Sequence, residues 1–122
     1  MRWATIMETS SAVRILYVPC GSEEEAHSLA VKLLDRRLIA CANIYASRSV
    51  YRWKGELAVE TEHVLVAKTT SVVADEALSA AEELHSYEVP CVLLMEPAGA
   101  NAAYEAWVAG EVSSRVAEGP SR

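Results

Sequence analysis

The chain has 122 residues, of which 52% are hydrophobic and 23% charged, and this composition indicates one globular domain rather than a disordered chain. Its formal net charge of −6, with lysine and arginine scattered along the chain, excludes the basic patch that nucleic-acid binding requires. No apolar run approaches the ~20 residues of a membrane span, and residues 3–7 are too few for the apolar region of a signal peptide, so we expect a cytoplasmic protein without a membrane partner.

The first predicted elements are a strand and a helix. Val13–Val18 is β-rich and almost entirely apolar, which predicts a central strand buried on both faces that ends at Pro19. Ser22 then caps a helix, and Glu25 is expected to reach back and close a capping box. The helix runs to about Arg37. Apolar residues at the 3.6-residue period form its buried stripe: Ala26, Leu29, Ala30, Leu33 and Leu34.

Residues 49–70 predict a β-hairpin, because two β-rich runs flank Lys54-Gly55, whose glycine tolerates positive φ. Glu56 to Lys68 contains no Gly, Pro or Asn, and such a strand at about 3.3 Å per residue reaches roughly 43 Å. A globule of this length is only roughly 35 Å across, so residues 56–62 are expected to project beyond their own domain, with Val64–Ala67 inside the sheet. A projecting strand edge needs a partner, which predicts pairing with another copy of the chain.

The second half of the chain predicts a helix, a strand and a final short helix. In this half, Thr70 or Ser71 caps a second helix, which the loop His85–Pro90 follows. Cys91–Met95 comes next as a buried strand, and Asn101 caps the last helix. The order β-α-β-β-α-β followed by a helix predicts a ferredoxin-like α+β fold, with an antiparallel sheet covered by two helices on one face. The chain is thus divided into a loose leader (1–12), one domain (13–110) and a frayed tail (111–122).

Sequence signals for enzymatic chemistry are weak. The common phosphate-binding, metalloprotease and serine-hydrolase motifs are absent, so we interpret the chain as a non-enzymatic protein. Glu60 and Glu62 project from one strand face about 7 Å apart, a range in which paired carboxylates do acid and base chemistry. Surface charge, or ion pairs with a neighbouring chain, is the alternative that a projecting strand favours.

Cysteine and histidine provide the candidate metal ligands. The three cysteines are odd in number and widely separated, which excludes a disulfide framework. Cys20 at the end of a strand and His85 in a loop are the most accessible candidates, and thiolate and imidazole are the ligands that copper(I) prefers. Four convergent ligands for a structural zinc are not identifiable. We therefore expect no required cofactor, with copper or another divalent cation as the candidate ligand.

Six short stretches carry a family resemblance: LIACANI at Leu38–Ile44, SVYRWKGEL at Ser49–Leu57, ETE at Glu60–Glu62, AKTT at Ala67–Thr70, HSYEVP at His85–Pro90 and YEAW at Tyr104–Trp107. On these residues the chain resembles the CutA family of divalent-cation tolerance proteins from about Val13 to Val108. The resemblance implies a ferredoxin-like subunit in a homotrimer whose hairpins, residues 49–70, pair between subunits. It also implies a role in tolerance of copper and other divalent cations.

The resemblance further implies site residues. His85 matches a copper-binding histidine of the family, whereas Leu84 and Val18 stand where a second histidine and a cysteine can occur. Five residues are implied to gather near subunit boundaries around a small cleft: Trp53, Glu60, Lys68, Tyr87 and Trp107. The alternative function is a signal-transducing or small-ligand-binding trimer that resembles nitrogen-regulatory proteins, with its ligand in that cleft. The sequence identifies no downstream partner.

Overall fold

The computed structural model describes residues 11–113, which form one antiparallel sheet and three helices. The elements are β1 (Val13–Cys20), α1 (Glu23–Asp35), β2 (Cys41–Trp53), β3 (Glu56–Thr70), α2 (Ala74–Leu84), β4 (Leu93–Met95) and α3 (Ala102–Glu111). The strand order is β2-β3-β1-β4, and every neighbouring pair of strands is antiparallel. This arrangement confirms the predicted ferredoxin-like α+β fold with an additional C-terminal helix.

The core lies between one face of the sheet and helices α1 and α2. Because side chains alternate along a strand, Leu16, Val18 and Cys20 of β1 point to this face together with Leu65 and Ala67 of β3, and all five are buried. The helices contribute small and branched residues to the same cluster: Ala26, Leu29, Ala30, Leu33, Ala77, Ala80 and Ala81. The predicted stripe of α1 is therefore confirmed, except that Leu34 is 39% exposed.

Within residues 11–113, helix α3 covers one end of the second, apolar face of the sheet, where Val108 packs with Val13 and Tyr104 contacts Cys41, and the rest of this face carries no helix. Ile15 and Tyr17 of β1 lie on this face and are only half-buried, so the prediction that β1 is buried on both faces is wrong for the single chain. The prediction for Cys91–Met95 is also wrong, because only Leu93–Met95 forms a strand, at the edge of the sheet, and Leu93 remains 50% exposed. We call this second face of the sheet, on which Ile15, Tyr17 and Leu93 lie, the open face.

Strands β2 and β3 form the predicted hairpin, paired from Cys41 opposite Lys68 to Trp53 opposite Glu56. Lys54 (φ 51°) and Gly55 (φ 84°) both adopt the left-handed region, as a two-residue type I′ turn requires. Strand β1 pairs with β3 only from His63 to Thr70, so residues 56–62 extend beyond the rest of the sheet. The predicted projection is confirmed, except that Glu62 at its base is buried.

The helix termini differ in detail from the prediction. The Ser22 hydroxyl accepts a hydrogen bond from the Glu25 N–H (3.1 Å), which confirms the predicted cap, but the Glu25 carboxylate accepts from Gly21 instead of Ser22. Helix α1 ends at Asp35, before the predicted Arg37. Helix α2 begins at Ala74 without a side-chain cap, so the predicted caps at Thr70 or Ser71 are wrong. Asn101 occupies the predicted N-cap position of α3.

Helix α3 closes one end of the sheet. Its Val108 packs with Val13 and Ala40, and its Glu105 accepts hydrogen bonds from the Ser11 hydroxyl (2.9 Å) and the Ala12 N–H (2.6 Å). The proposed domain limits stay a prediction, because the leader and the tail lie largely outside the described residues. Between residues 11 and 113 no helix is long and apolar enough to span a bilayer.

Candidate functional site

A half-open cavity of about 510 Å³ lies along one face of the projecting part of the hairpin, between the hairpin and the segment that follows α2. Tyr51, Trp53, Glu60 and Glu62 reach it because strand alternation and antiparallel pairing place them on one face of the hairpin. The described residues that line it are Pro19, Tyr51, Trp53, Glu60, Glu62, Tyr87, Glu88, Val89 and Cys91. Within residues 11–113, the lining therefore combines three carboxylates with three aromatic rings and contains no lysine or arginine.

The loop His85–Pro90 forms one wall of the cavity and is fixed through His85. This imidazole is fully buried, its Nε2 contacts the Pro19 carbonyl oxygen at 2.8 Å, and its Nδ1 accepts the Tyr87 N–H at 3.1 Å. Because Nδ1 accepts, the proton lies on Nε2, which donates to Pro19. The Tyr87 ring packs edge-on against the imidazole, with ring centroids 4.6 Å apart.

Glu25 of α1 holds the loop His85–Pro90 in place through hydrogen bonds. Its carboxylate accepts hydrogen bonds from the Gly21 N–H (2.9 Å) and the Ser86 N–H (3.1 Å), two segments far apart in the chain. Partial burial acts to raise the pKa of Glu25, but the bonds from Ser86 and Gly21 outweigh it, and the net pKa is lowered. A side chain at Gly21 would approach both Glu25 Oε1 and the Tyr87 ring at 3.3 Å, so the close fit here favours glycine.

Each of two carboxylates in the cavity is bound by a phenol. The Tyr87 hydroxyl donates to Glu62 Oε2 at 2.8 Å, and the Tyr51 hydroxyl donates to Glu60 Oε1. Burial and then the bond to Glu62 raise the pKa of Tyr87, while the bond to Glu60 is the main cause that raises the pKa of Tyr51. Both phenols therefore stay protonated at neutral pH and act as donors. Glu62 is only 7% exposed, which makes it the most enclosed charge of the cavity.

The structure brings together three of the five residues that were expected to share a cleft, namely Trp53, Glu60 and Tyr87. Lys68 lies farther along β3, where its Nζ contacts the Asn43 amide oxygen at 3.3 Å. Trp107 lies on α3, packed against Tyr104. The prediction did not include Tyr51, Glu62, Glu88 or Cys91 in the cleft. The alternation of β2 and β3 could have indicated Tyr51 and Glu62, whereas Glu88 and Cys91 depend on the path of the loop.

The expected metal ligands His85 and Cys20 are both buried. His85 uses both ring nitrogens in hydrogen bonds, and Cys20 lies on the core face of the sheet. Burial, with the nearby Glu25 and Glu62 charges, raises the pKa of the Cys20 thiol to about 12, so the thiol is protonated at neutral pH. Within residues 11–113 no three histidine, cysteine or acidic side chains converge on a metal position. Metal binding at these two residues stays a prediction.

Comparison with known proteins identifies the family. A model of the CutA1 divalent ion tolerance protein family matches residues 14–111. A divalent-cation tolerance protein CutA of Thermotoga maritima is 34% identical over 94 residues, which cover 77% of this chain and 93% of the relative. CutA of Synechococcus elongatus has a TM-score of 0.81 at 32% identity, over 85% of this chain and 94% of that one. A structure titled the periplasmic divalent cation tolerance protein CutA of Archaeoglobus fulgidus has a TM-score of 0.79 at 29% identity, over 83% and 99%. The chain therefore belongs to the CutA1 divalent ion tolerance protein family.

Proposed function

We propose that the chain is a homotrimeric, non-enzymatic binding protein of divalent-cation tolerance, and that it collects cations in the acidic cavity. The observation that carries this proposal is the lining: Glu60, Glu62 and Glu88 share one cavity, and no lysine or arginine of the described chain lies in its wall. Carboxylate oxygens attract divalent cations. Because no three ligands converge within the described chain, the ion is expected to keep part of its water shell there.

Self-association is supported by two features of the fold. The open face exposes apolar side chains, among them Leu93, Met95 and Tyr45, and surfaces of this kind mark interaction sites. The projecting residues 56–62 pair with β2 along one edge only. A trimer would cover both features. Light scattering at micromolar concentration should give the mass of three chains, and the mass of one chain would contradict this part of the proposal.

Calorimetric titration with copper(II), zinc and magnesium salts tests the cation site. Glu62→Gln should weaken binding by about tenfold or more if the cavity holds the cation, because it removes the most enclosed carboxylate. His85→Ala tests the copper site expected from the resemblance. Because His85 also fixes a wall of the cavity, a loss confined to copper, with zinc and magnesium binding kept, is the result that would assign copper to His85. Glu24→Gln is the matched control, since Glu24 is an exposed acid of α1. Equal binding by the wild type and Glu62→Gln would refute the cavity as the cation site.

A second candidate, a small-ligand-binding trimer, is favoured by the size of the cavity. About 510 Å³ lies within the range of small-molecule sites, and Tyr51, Trp53 and Tyr87 supply aromatic surface that a bare ion does not need. Aromatic rings beside carboxylates bind organic cations well. A thermal-shift screen of cationic metabolites should identify a stabilising compound whose effect is lost in Trp53→Leu. A screen in which wild type and Trp53→Leu respond alike to every compound would remove this candidate.

We propose a cytoplasmic location. It is supported by the sequence, in which three widely separated cysteines do not form a disulfide framework, and by Cys20, Cys41 and Cys91 being free thiols in the structure. Fractionation of cells that produce the full chain should recover it with cytoplasmic markers. Recovery in a periplasmic or secreted fraction would overturn the location without affecting the assembly.

A further inference from the structure

We infer that Cys20 and His63 form a two-ligand site for a soft monovalent metal ion of the class of copper(I) and silver(I). In this site the ion joins the Cys20 sulfur to Nδ1 of the His63 ring. The site lies on the core face of the sheet, away from the acidic cavity. The inference goes beyond the proposed function, because it needs neither the cavity nor the trimer.

The strand register makes these two residues neighbours. Cys20, the last residue of β1, lies opposite His63 of β3. Opposed residues of an antiparallel pair point to the same face of the sheet, and their Cβ atoms are about 4.5–5.5 Å apart. Although Cys20 and His63 are far apart in the sequence, a sulfur and an imidazole therefore lie side by side on the core face.

His63 has an open position on its ring. Its Nδ1 is buried and has no hydrogen-bond partner among residues 11–113. Buried polar atoms without a partner are rare in folded proteins, and a bound ion is one of the explanations for them. Towards the centre of the sheet, the neighbours of His63 on the core face are the apolar Leu65 and Ile44. His85 offers no such position, because both of its ring nitrogens are hydrogen-bonded.

Cys20 supplies a sulfur whose proton a metal ion can replace. The residue is fully buried and its thiol is free. In the described chain this thiol donates a long hydrogen bond to the Val18 carbonyl oxygen (3.6 Å), and a thiol is a weak donor. Replacement of the proton therefore gives up little. His63 is only half-buried, which provides a path from solvent to the buried sulfur.

The number of ligands favours a soft monovalent ion. No third histidine, cysteine or acidic side chain converges on a common position within residues 11–113, which argues against a tetrahedral zinc site. Copper(I) and silver(I) accept two ligands in a line, and thiolate and imidazole suit them. Bonds of about 2.3 Å to sulfur and about 2.1 Å to nitrogen hold the two ligand atoms roughly 4.4 Å apart, a separation that cross-strand neighbours can span.

The charges also favour such an ion. Binding breaks the S–H bond of Cys20, releases the proton to water and forms the sulfur–metal bond, without a change in oxidation state. A thiolate, a neutral imidazole and a monovalent cation together carry no net charge, and burial of a neutral group costs least. Glu25 and Glu62 are close enough for their charges to act on the Cys20 thiol, and this negative potential attracts an incoming cation.

Silver(I) titration of the full chain in chloride-free buffer tests the site. The parent protein carries Cys41→Ser and Cys91→Ser, so that Cys20 is its only thiol. It should bind one silver ion per chain, and His63→Gln in this parent should weaken binding by about thirtyfold or more, because one of two ligands is lost. His27→Gln is the matched control, since His27 is an exposed histidine of α1, and should leave binding unchanged. Competition with a copper(I) chelator in the absence of oxygen should rank the three proteins in the same order.

Nuclear magnetic resonance tests the bond to nitrogen without a change to any histidine. Long-range ¹H–¹⁵N spectra distinguish Nδ1 from Nε2 in each imidazole ring. One equivalent of silver(I) should shift the Nδ1 resonance of His63 in the parent and leave the resonances of His27 and His85 in place. Wild-type protein saturated with silver(I) should show the same shift of the His63 resonance, which covers the case of a parent that does not fold.

Three results would overturn the inference: a parent that binds no silver, equal silver affinity of the parent and its His63→Gln variant, or a His63 Nδ1 resonance that does not move when silver is bound. The second and third results would assign silver to the Cys20 sulfur alone. None of them affects the proposed cation site in the acidic cavity, because that site uses other residues.

Discussion

Replacement of Glu25 by alanine should loosen the wall of the cavity, because this carboxylate joins α1 to the loop after α2. The change removes the hydrogen bonds from Gly21 (2.9 Å) and Ser86 (3.1 Å). A hydrogen bond to a charged group contributes about 1.5–3 kcal/mol when buried, and the side chain here is 22% exposed, so we expect a loss of about 2–3 kcal/mol in the free energy of unfolding.

Glu24→Ala is the matched control. Glu24 lies in the same first turn of α1 and loses the same favourable interaction with the helix dipole, about 0.5 kcal/mol, but it is exposed. Urea unfolding at a fixed protein concentration measures both variants at pH 7. Equal losses of stability in Glu24→Ala and Glu25→Ala would refute the role assigned to the carboxylate.

The pH dependence gives an independent check. The folded-state pKa of Glu25 is lowered, so its contribution to stability is fully present above the unfolded pKa of 4.5 and is lost as the pH falls through the folded value. The stability difference between wild type and Glu25→Ala should therefore be constant from pH 7 to about pH 5 and shrink below pH 4.5. A difference that does not change on acidification would show that the side chain acts through packing alone.

Three further predictions follow from single contacts. Tyr87→Phe should cost about 1.5–3 kcal/mol of unfolding free energy, since it leaves Glu62 buried without its hydrogen-bond donor. Because the folded-state pKa of Tyr87 is raised, this contribution to stability should fade as the pH rises above 10. A cost that does not depend on pH would argue against the hydrogen bond as its cause. Leu16→Ala should cost about 2–5 kcal/mol by chemical denaturation, as a fully buried core residue, whereas exposed Val72→Ala should change stability by less than about 0.5 kcal/mol. Gly55→Ala should cost about 1 kcal/mol because of its positive φ alone, since no atom lies near the added methyl group; a cost equal to that of Leu16→Ala would contradict this.

The sequence predicts those parts of the fold that depend on local chemistry. Lys54-Gly55 determines the turn, and period-two alternation by itself assigns Glu60, Glu62 and Lys68 to one face of β3. The cap at Ser22 follows from the same kind of short-range pattern. In these cases the interacting residues are neighbours in the chain.

The remaining features depend on contacts between distant segments. Glu25 binds Ser86, which lies far along the chain, so the sequence indicated a capping box where the structure uses the carboxylate to hold a loop. Incomplete burial of Ile15 and Tyr17 on the second face of β1 follows from where the helices pack, and apolar composition alone does not reveal it. Lys68 and Trp107 lie away from the cavity because the shape of a single chain, not residue type, decides which side chains share it.

The pairing of the sheet also determines the order in which the chain can fold. Strands β2 and β3 are joined by a two-residue turn and can pair in about 1–10 μs. Strand β1 pairs with β3 only after a long loop has closed. Strand β1, which precedes the hairpin in the chain, is thus among the last to gain its hydrogen bonds. Pulsed amide labelling during refolding should protect β2 and β3 before β1.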